Sequence, residues 1–444
     1  MHEEAREALA EKILDLAADL ACEVSISSSQ RGLTRFTHNA VHQNLASGDT
    51  SVRVRVVASG GRMGVAVTND LGAPSLRAVV ARAAEIARFA PGDPGAPPLA
   101  RAAAALTPPG AFVAATADAT PEHRASIVAA IVAEAERASL WAAGYVTTAR
   151  DGITIVNSAG TRASFDGTSC GLNVKTNGPD ATGFAECYGN DVAVLDGAAC
   201  GARAVAKARA GEAPAAIDPG PSTVILEPAA IGELLSYLTD HFSAQSFVDG
   251  ASFLSGALGQ SFVGANVTLR DDYADPALCG MPFDYEGFPK ARLPLLAAGV
   301  AANVVTDARY AIRLGGPNTG HGFPAPSGSG PEPTAVVVAG GEKSLEQLIA
   351  ETANGILVSR FWYIRPVDAR KTIVTGMTRD GTFAIRNGRL AGGVRNMRFN
   401  QSILDALAAC EFASDAVRTS GYGYSMIVPA VKIEGFRFTS TTEF

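Results

Sequence analysis

Apolar and polar positions change period along the chain, and the changes outline its elements. The opening residues, MHEEAREALAEKILDLAADLA, space their apolar side chains for one face of a first helix and lack the basic start and unbroken apolar run of a leader. Residues 22–28, 32–44 and 51–67 alternate, are rich in β-branched side chains and are punctuated by Gly48, Gly60 and Gly61, so they read as antiparallel strands. An alanine-rich helix over 76–89 stops before Pro91, and a proline- and alanine-rich connector runs on to Gly110. The order then recurs, with a helix over 121–140, strands over 146–156, 162–174 and 183–188, and a helix over 197–209. Asn39 and Asn157, Thr50-Ser51 and Thr168-Ser169, and Asn69-Asp70 and Asn190-Asp191 lie 118, 118 and 121 residues apart, the signature of an internal duplication.

Residues 211–221 carry three prolines and few large apolar side chains, which predicts a boundary there. The expected class is α+β: an N-terminal domain over 1–215 of duplicated helix-flanked antiparallel sheets, about 1–92 and 119–210, then a mainly antiparallel β domain with helices over 222–444. That second part opens with a strand over 223–226 and a helix from Pro228, where Ile231, Leu234, Leu235 and Leu238 repeat at i, i+3, i+4 and i+7. A long glycine- and proline-dense loop is expected over 315–333, a strand over 334–338, and a helix over 344–353 that Ser344 caps and Asn354-Gly355 stops. Strands are expected over 356–363, 371–378, 382–386 and 389–399, with tight turns at Arg379-Asp380-Gly381 and Arg386-Asn387-Gly388. A helix over 402–413 and a closing strand over 427–438 complete the pattern.

Composition narrows the classes. With 444 residues, 47% of them hydrophobic, the chain can bury large cores. Its most apolar run, 293–305, is interrupted by Gly299 and Asn303 and falls short of the ~20 residues a spanning helix needs, so no membrane insertion is expected. Cys22, Cys170, Cys187, Cys200, Cys279 and Cys410 form no C-x-x-C pair and fit reduced thiols in a cytoplasm. A net charge of -7 without a lysine or arginine cluster offers nothing to a phosphate backbone, which excludes direct nucleic-acid binding from the expected functions.

Candidate chemistry is sparse. His38 and His42 are four apart, but on a strand that spacing spans roughly 13 Å, too far for two ligands of one metal. Gly167 to Gly171 matches G-x-S-x-G around Ser169, yet another strand follows where a nucleophile elbow needs a helix. Asp284 and Glu286, in DYEG, could act as an acid–base pair or as turn formers. Arg360, Arg365, Arg370, Arg379 and Arg395, interleaved with Trp362 and Tyr363, could line a groove for carboxylates or peptide backbone. The helix from Pro228 carries LLSYLTDH over 234–241. A hydrolytic zinc there would need imidazoles and a carboxylate side by side, whereas Ser236 and Tyr237 occupy those places and only His241 remains.

FDYEG at 283–287, NTGHG at 318–322 and above all TGMTRDGTFAIRNGRLAGGVRNMRFNQSIL at 375–404 resemble the TldD/PmbA family of proteolytic proteins, and the likeness extends more weakly over the first half. In that family two related subunits form a hollow dimer, one of which binds zinc through a His-Glu-x-x-x-His motif and a late cysteine. The resemblance places Ser236 at the first histidine, Tyr237 at the glutamate and His241 at the second histidine. No cysteine follows Cys410, and 418–425 reads RTSGYGYS. It therefore implies the metal-free, PmbA- or TldE-type subunit: no cofactor in this chain, zinc in a TldD-type heterodimer partner, self-pairing when that partner is absent, and a peptide substrate. Asp284, Glu286, His321 and Arg379 are the candidate substrate contacts. The competing readings are a self-sufficient hydrolase using Asp284, Glu286 or Ser169, and a binding or regulatory protein with no proteolytic partner.

Overall fold

The computed structural model describes residues 1–102, 105–421 and 424–442. Its N-terminal part runs α1 (Glu3–Leu16), β1 (Ala21–Thr37), β2 (Ala40–Ala58), β3 (Arg62–Thr68), α2 (Ala73–Phe89), the single turn α3 (Ala114–Ala117), α4 (Pro121–Arg137), β4 (Trp141–Asn157), β5 (Arg162–Asn177), β6 (Thr182–Gly189) and α5 (Gly197–Ala210). The strands form one antiparallel sheet in the order β3-β2-β1-β4-β5-β6. Helices α1 and α2 share a core with β1–β3, and α4 and α5 share a second with β4–β6.

The second half repeats the contacts of the first. At the centre of the sheet Gln30 pairs with Arg150, its counterpart in the other repeat. Arg6 of α1 is buried over Gly152 of β4, with Nε 3.2 Å from Thr154 Oγ1 and Nη1 2.9 Å from the Met1 carbonyl. Arg124 of α4 is buried over Gly32 of β1, with Nε 3.3 Å from Thr34 Oγ1 and Nη1 3.0 Å from the Ala119 carbonyl. Each guanidinium thus crosses to the strand of the opposite repeat. Gly64 and Gly183 also correspond: a Cβ on either would stand 2.0 Å from a helix carbonyl, that of Ala83 or of Ala204.

The C-terminal part runs β7 (Gly220–Leu226), α6 (Pro228–Thr239), α7 (Ala244–Val248), β8 (Leu269–Asp271), β9 (Leu293–Ala297), β10 (Val300–Ala301), α8 (Ala308–Leu314), β11 (Val336–Val338), α9 (Leu345–Ala350), β12 (Asn354–Asp368), β13 (Ile373–Arg386), β14 (Arg389–Gly393), β15 (Met397–Ser402), α10 (Ile403–Ala408), β16 (Cys410–Gly421) and β17 (Tyr424–Thr441). Its sheet follows β10-β9-β8-β11-β17-β15-β13-β12-β7, with β14 on β13 and β16 on β17. Because β7 also pairs with β17, the last five strands of that path close into a ring. Only β7–β12 and β11–β17 are parallel among these pairings. Ile231, Leu234, Leu235 and Leu238 of α6 pack into the largest core, as their spacing requires. The fold is therefore α+β, and no described helix is long and apolar enough to cross a membrane.

Several elements depart from the sequence pattern. Gly32 and Gly48 lie inside strands, so the early stretches merge into two long strands. Their turn is His38-Asn39, both at positive φ (47° and 61°); His38 stacks on Trp141 with ring centroids 4.2 Å apart. Asp380-Gly381 makes a bulge inside one continuous strand, β13, where a turn was expected, whereas Asn387-Gly388 is a hairpin turn at positive φ. Asn354-Gly355 begins β12, because α9 has already ended at Ala350. The stretch 389–399 divides into β14 and β15. The late helix stops at Ala408, and β16 takes up the residues beyond it.

Candidate functional site

A groove of about 690 Å³ opens where β6 of the N-terminal sheet meets α6, β12 and the end of β16. Helix α6 starts at Pro228, with Glu227 before it held by Lys207 Nζ at 2.6 Å. Its apolar stripe faces the core, which leaves Glu233, Ser236 and Tyr237 on the groove side. Ser236 Oγ donates back to the Glu233 carbonyl at 2.7 Å, and the Tyr237 hydroxyl donates to the Ile364 carbonyl of β12 at 2.8 Å. His241 does not join them. It follows α6 in a 3-10 turn, is 6% exposed, and accepts the Phe253 N–H at Nδ1 over 3.4 Å with its ring 5.1 Å from that of Phe253. Burial pulls its pKa down to about 4, so the imidazole is neutral.

The opposite wall carries arginines and aromatics. Register shifts in β12 around Tyr363, itself at φ 61°, turn Trp362 and Tyr363 outward, 43% and 63% exposed. Arg365 lies 4.6 Å over the Tyr363 ring, Arg379 5.1 Å over Trp362, and Arg360 4.6 Å over Phe184. Arg360 Nε also stands 3.2 Å from Asp380 Oδ2. Arg379 and Arg395 line an adjoining hollow of about 960 Å³. Arg370 is exposed on the β12–β13 turn and lines neither space.

The floor holds residues that the sequence reading did not single out. Glu186 of β6 accepts from Thr419 Oγ1 at 2.7 Å and from the Tyr188 hydroxyl at 3.4 Å. Burial pushes its pKa up to about 7, against the Thr419 bond and the charge of Arg360. Glu233 is also pushed up to about 7 by burial, with Arg360 opposing and Glu186 adding to the rise. The available signal was the alternation Phe184, Glu186, Tyr188, a carboxylate between two aromatics on one face of a strand. What the alternation could not indicate is that this face meets α6.

Asp284, Glu286 and His321 do come together, but at the junction of the two parts and away from the groove. They are 1%, 5% and 1% exposed. Asp284 Oδ1 accepts the backbone N–H groups of Glu286 and Phe288 and Oδ2 that of Gly322, each at 2.9 Å. Glu286 Oε2 accepts the Ala308 N–H at 3.3 Å, and its Oε1 lies 4.0 Å from Arg55, which is paired with Glu23 at 2.6 Å. His321 stands between Thr319 Oγ1 at 2.9 Å and Asp271 Oδ1 at 3.2 Å. Burial raises Asp284 to about 6; burial and then the Asp284 charge raise Glu286 to about 7. In these places DYEG and NTGHG hold loops together. Ser169 lies within β5, paired with Ala149 of β4.

Family models decide what kind of molecule this is. Residues 219–440 match the PmbA/TldA metallopeptidase C-terminal domain, and residues 22–87 match PmbA/TldA metallopeptidase domain 1. The chain belongs to the PmbA/TldD family. TldE from Thermococcus kodakarensis shares the fold at 20% identity, with a TM-score of 0.87 over 98% of this chain and 99% of that one. A protein named metalloprotease from Methanothermobacter thermautotrophicus is 25% identical over 57% of this chain and 53% of its own length. An uncharacterized protein of Methanocaldococcus jannaschii is 36% identical over 22% of this chain and 24% of its own. The chain thus spans from about a quarter to about half of the curated relatives it matches.

The resemblance noted in the sequence places a zinc motif's three positions at Ser236, Tyr237 and His241. Ser236 and Tyr237 present hydroxyls engaged with backbone carbonyls, and the Nδ1 lone pair of His241 is taken by Phe253. Among the described residues no group of three His, Cys, Asp or Glu side chains could hold a metal ion. Of the RTSGYGYS segment, Thr419, Ser420 and Gly421 form the groove end of β16, while Tyr422 and Gly423 lie outside the described residues.

Proposed function

We propose that this chain is a non-catalytic subunit of a PmbA/TldD-type metallopeptidase, holding unfolded or modified peptide for a related zinc-bearing subunit. The observation that carries the reading is the use of Tyr237. At the place of the motif's glutamate, its hydroxyl ties α6 to β12 through Ile364, while the groove beside it keeps guanidiniums and exposed rings suited to peptide carbonyls, carboxylates and side chains. Extended peptide would lie along the groove between Trp362 and Glu186. A heterodimer with the zinc-bearing relative is the working assembly, in the cytoplasm and without nucleic acid, and the chain pairs with itself when that relative is absent.

A self-sufficient hydrolase built on Asp284 and Glu286 gains no support from their burial, since substrate would have to part the two halves of the molecule to reach them. Co-expression with a relative carrying an intact His-Glu-x-x-x-His motif tests the proposal. Cleavage of an unstructured peptide should require both chains and should co-elute with a species of their combined mass. Cleavage by this chain alone, or an active relative that never associates with it, would overturn the reading.

A further inference from the structure

Beyond Trp362 and Tyr363, which line both spaces, the groove gives way to the hollow of about 960 Å³ that holds Arg379 and Arg395. Strand register builds one wall of it. Trp362 of β12 pairs with Met377 of β13, and Met377 with Arg398 of β15, so the three side chains stand in a row on one face of the sheet. Arg379, two residues on from Met377, shares that face and lies directly opposite Arg360. Like charges so placed repel. Arg360 is relieved by Asp380, whose Oδ2 lies 3.2 Å from its Nε, whereas Arg379 has only the Trp362 ring at 5.1 Å. The carboxylates of the hollow are already engaged. Asp380, 3% exposed, also accepts from Thr182 Oγ1 at 2.7 Å and lies 3.6 Å from Lys175 Nζ, and Asp180 Oδ2 accepts the Ala213 N–H at 3.0 Å. Among the described residues Arg379, Arg395 and Arg398 therefore pair with no carboxylate, and the last two are exposed.

We propose that this hollow is a subsite for a carboxylate of the bound peptide, either its terminal one or that of an acidic side chain close to its end. The site rests on the peptide-holding reading above and gives the bound chain a direction. A guanidinium presents paired N–H donors that match the two oxygens of a carboxylate, and an arginine with no protein anion is free to use them. Lys175 is spent on Asp380, which leaves the three arginines as the anchors. The rest of the groove carries the carboxyl groups of Glu186 and Glu233, which disfavour an incoming anion. Peptide thus lies with its carboxylate past Trp362 and its other end toward Glu186, and the Trp362 and Tyr363 rings offer their faces to the residue between.

The test is titration calorimetry with N-acetylated, unstructured peptides of one sequence that lacks acidic residues. They are added to the full chain, and to its complex with the zinc-bearing relative after chelation so that the peptide stays intact. One peptide ends in a free carboxylate, one in an amide, and one in an amide after a final glutamate. The free carboxylate should bind about tenfold tighter than the amide. Affinity regained with the glutamate shows that a side-chain carboxylate also serves; affinity not regained assigns the site to the terminal one. Arg395→Gln with Arg398→Gln should make the free and amidated peptides bind alike, and a difference that persists in that variant overturns the assignment to this hollow. The wild-type comparison stands even if the variant fails to fold. Equal binding of all three peptides by the wild-type chain and complex overturns the subsite and leaves the peptide-holding reading in place, whereas failure of all three to bind removes both.

Discussion

The Tyr237 hydroxyl and the Ile364 carbonyl lie 2.8 Å apart, joining α6 to β12 at the position that the sequence resemblance assigns to the glutamate of a zinc motif. Tyr237→Phe removes one such bond and should cost about 1 kcal/mol of stability. The midpoint of urea unfolding reads this. In a complex with the zinc-bearing relative, the same variant should keep peptide cleavage close to wild type, whereas an acid–base role for Tyr237 would show as a large fall in kcat.

Replacing Ser236 with His and Tyr237 with Glu together should not make a peptidase of the isolated chain. His241 would still face Phe253 from its 3-10 turn, so a metal would gain two ligands and lack the third. Zinc titration followed by a peptide assay checks it, and tight stoichiometric zinc with cleavage would count against this account of His241.

Gly64→Ala and Gly183→Ala should be similarly damaging, because each new Cβ would stand 2.0 Å from a helix carbonyl, with no flexible side chain to give way. A loss of about 3 kcal/mol is expected for each. Thermal unfolding of the two variants should show comparable shifts, and a silent substitution at either site would contradict the repeated contact.

Much of this architecture is legible before any coordinates. The α6 stripe of Ile231, Leu234, Leu235 and Leu238 faces the core as the spacing requires, and β4–β6 stand close to where alternation puts them. What misleads is glycine. Gly32 reads as a strand break, yet it lies inside β1 because the Arg124 guanidinium occupies the space of its missing side chain from 92 residues away. Gly381 reads as a turn and is a bulge against Ser359. The groove was half legible: the arginine and aromatic run at 360–365 is in the sequence, but Glu186 reaches it only through the packing of β6 against α6 and β16, a contact that no local pattern encodes.

The paired carboxylates give a pH signature. Glu186 and Glu233 have folded pKa values near 7, above the ordinary carboxylate range, so in the folded state they hold protons that the unfolded chain releases. Their contribution to stability is full below about pH 4.5 and is lost as pH rises through 7. Glu186→Gln with Glu233→Gln should therefore flatten the decline in Tm between pH 5 and pH 8 relative to wild type. Buried His241, with its pKa pulled down to about 4, acts oppositely, losing its stabilisation as pH falls below 6.5 toward 4, and is unchanged in this comparison. Equal slopes for the two proteins would show that these carboxyls ionise freely.

Arg365→Ala and Arg379→Ala should weaken peptide retention by the assembled pair, since each removes a guanidinium stacked on an exposed ring of the groove wall. Loss of a charged hydrogen-bonding partner predicts about a tenfold rise in KM for each with a smaller change in kcat. Steady-state kinetics on an unstructured peptide separates the two, and unchanged KM in both variants would place the substrate elsewhere.

The most direct measurement is the metal content and peptidase activity of each purified chain and of their complex. The account predicts zinc near one equivalent in the relative and far below one in this chain, cleavage only by the complex, and loss of that cleavage on chelation. Near-stoichiometric zinc in this chain, with chelator-sensitive cleavage in the absence of any relative, would contradict it.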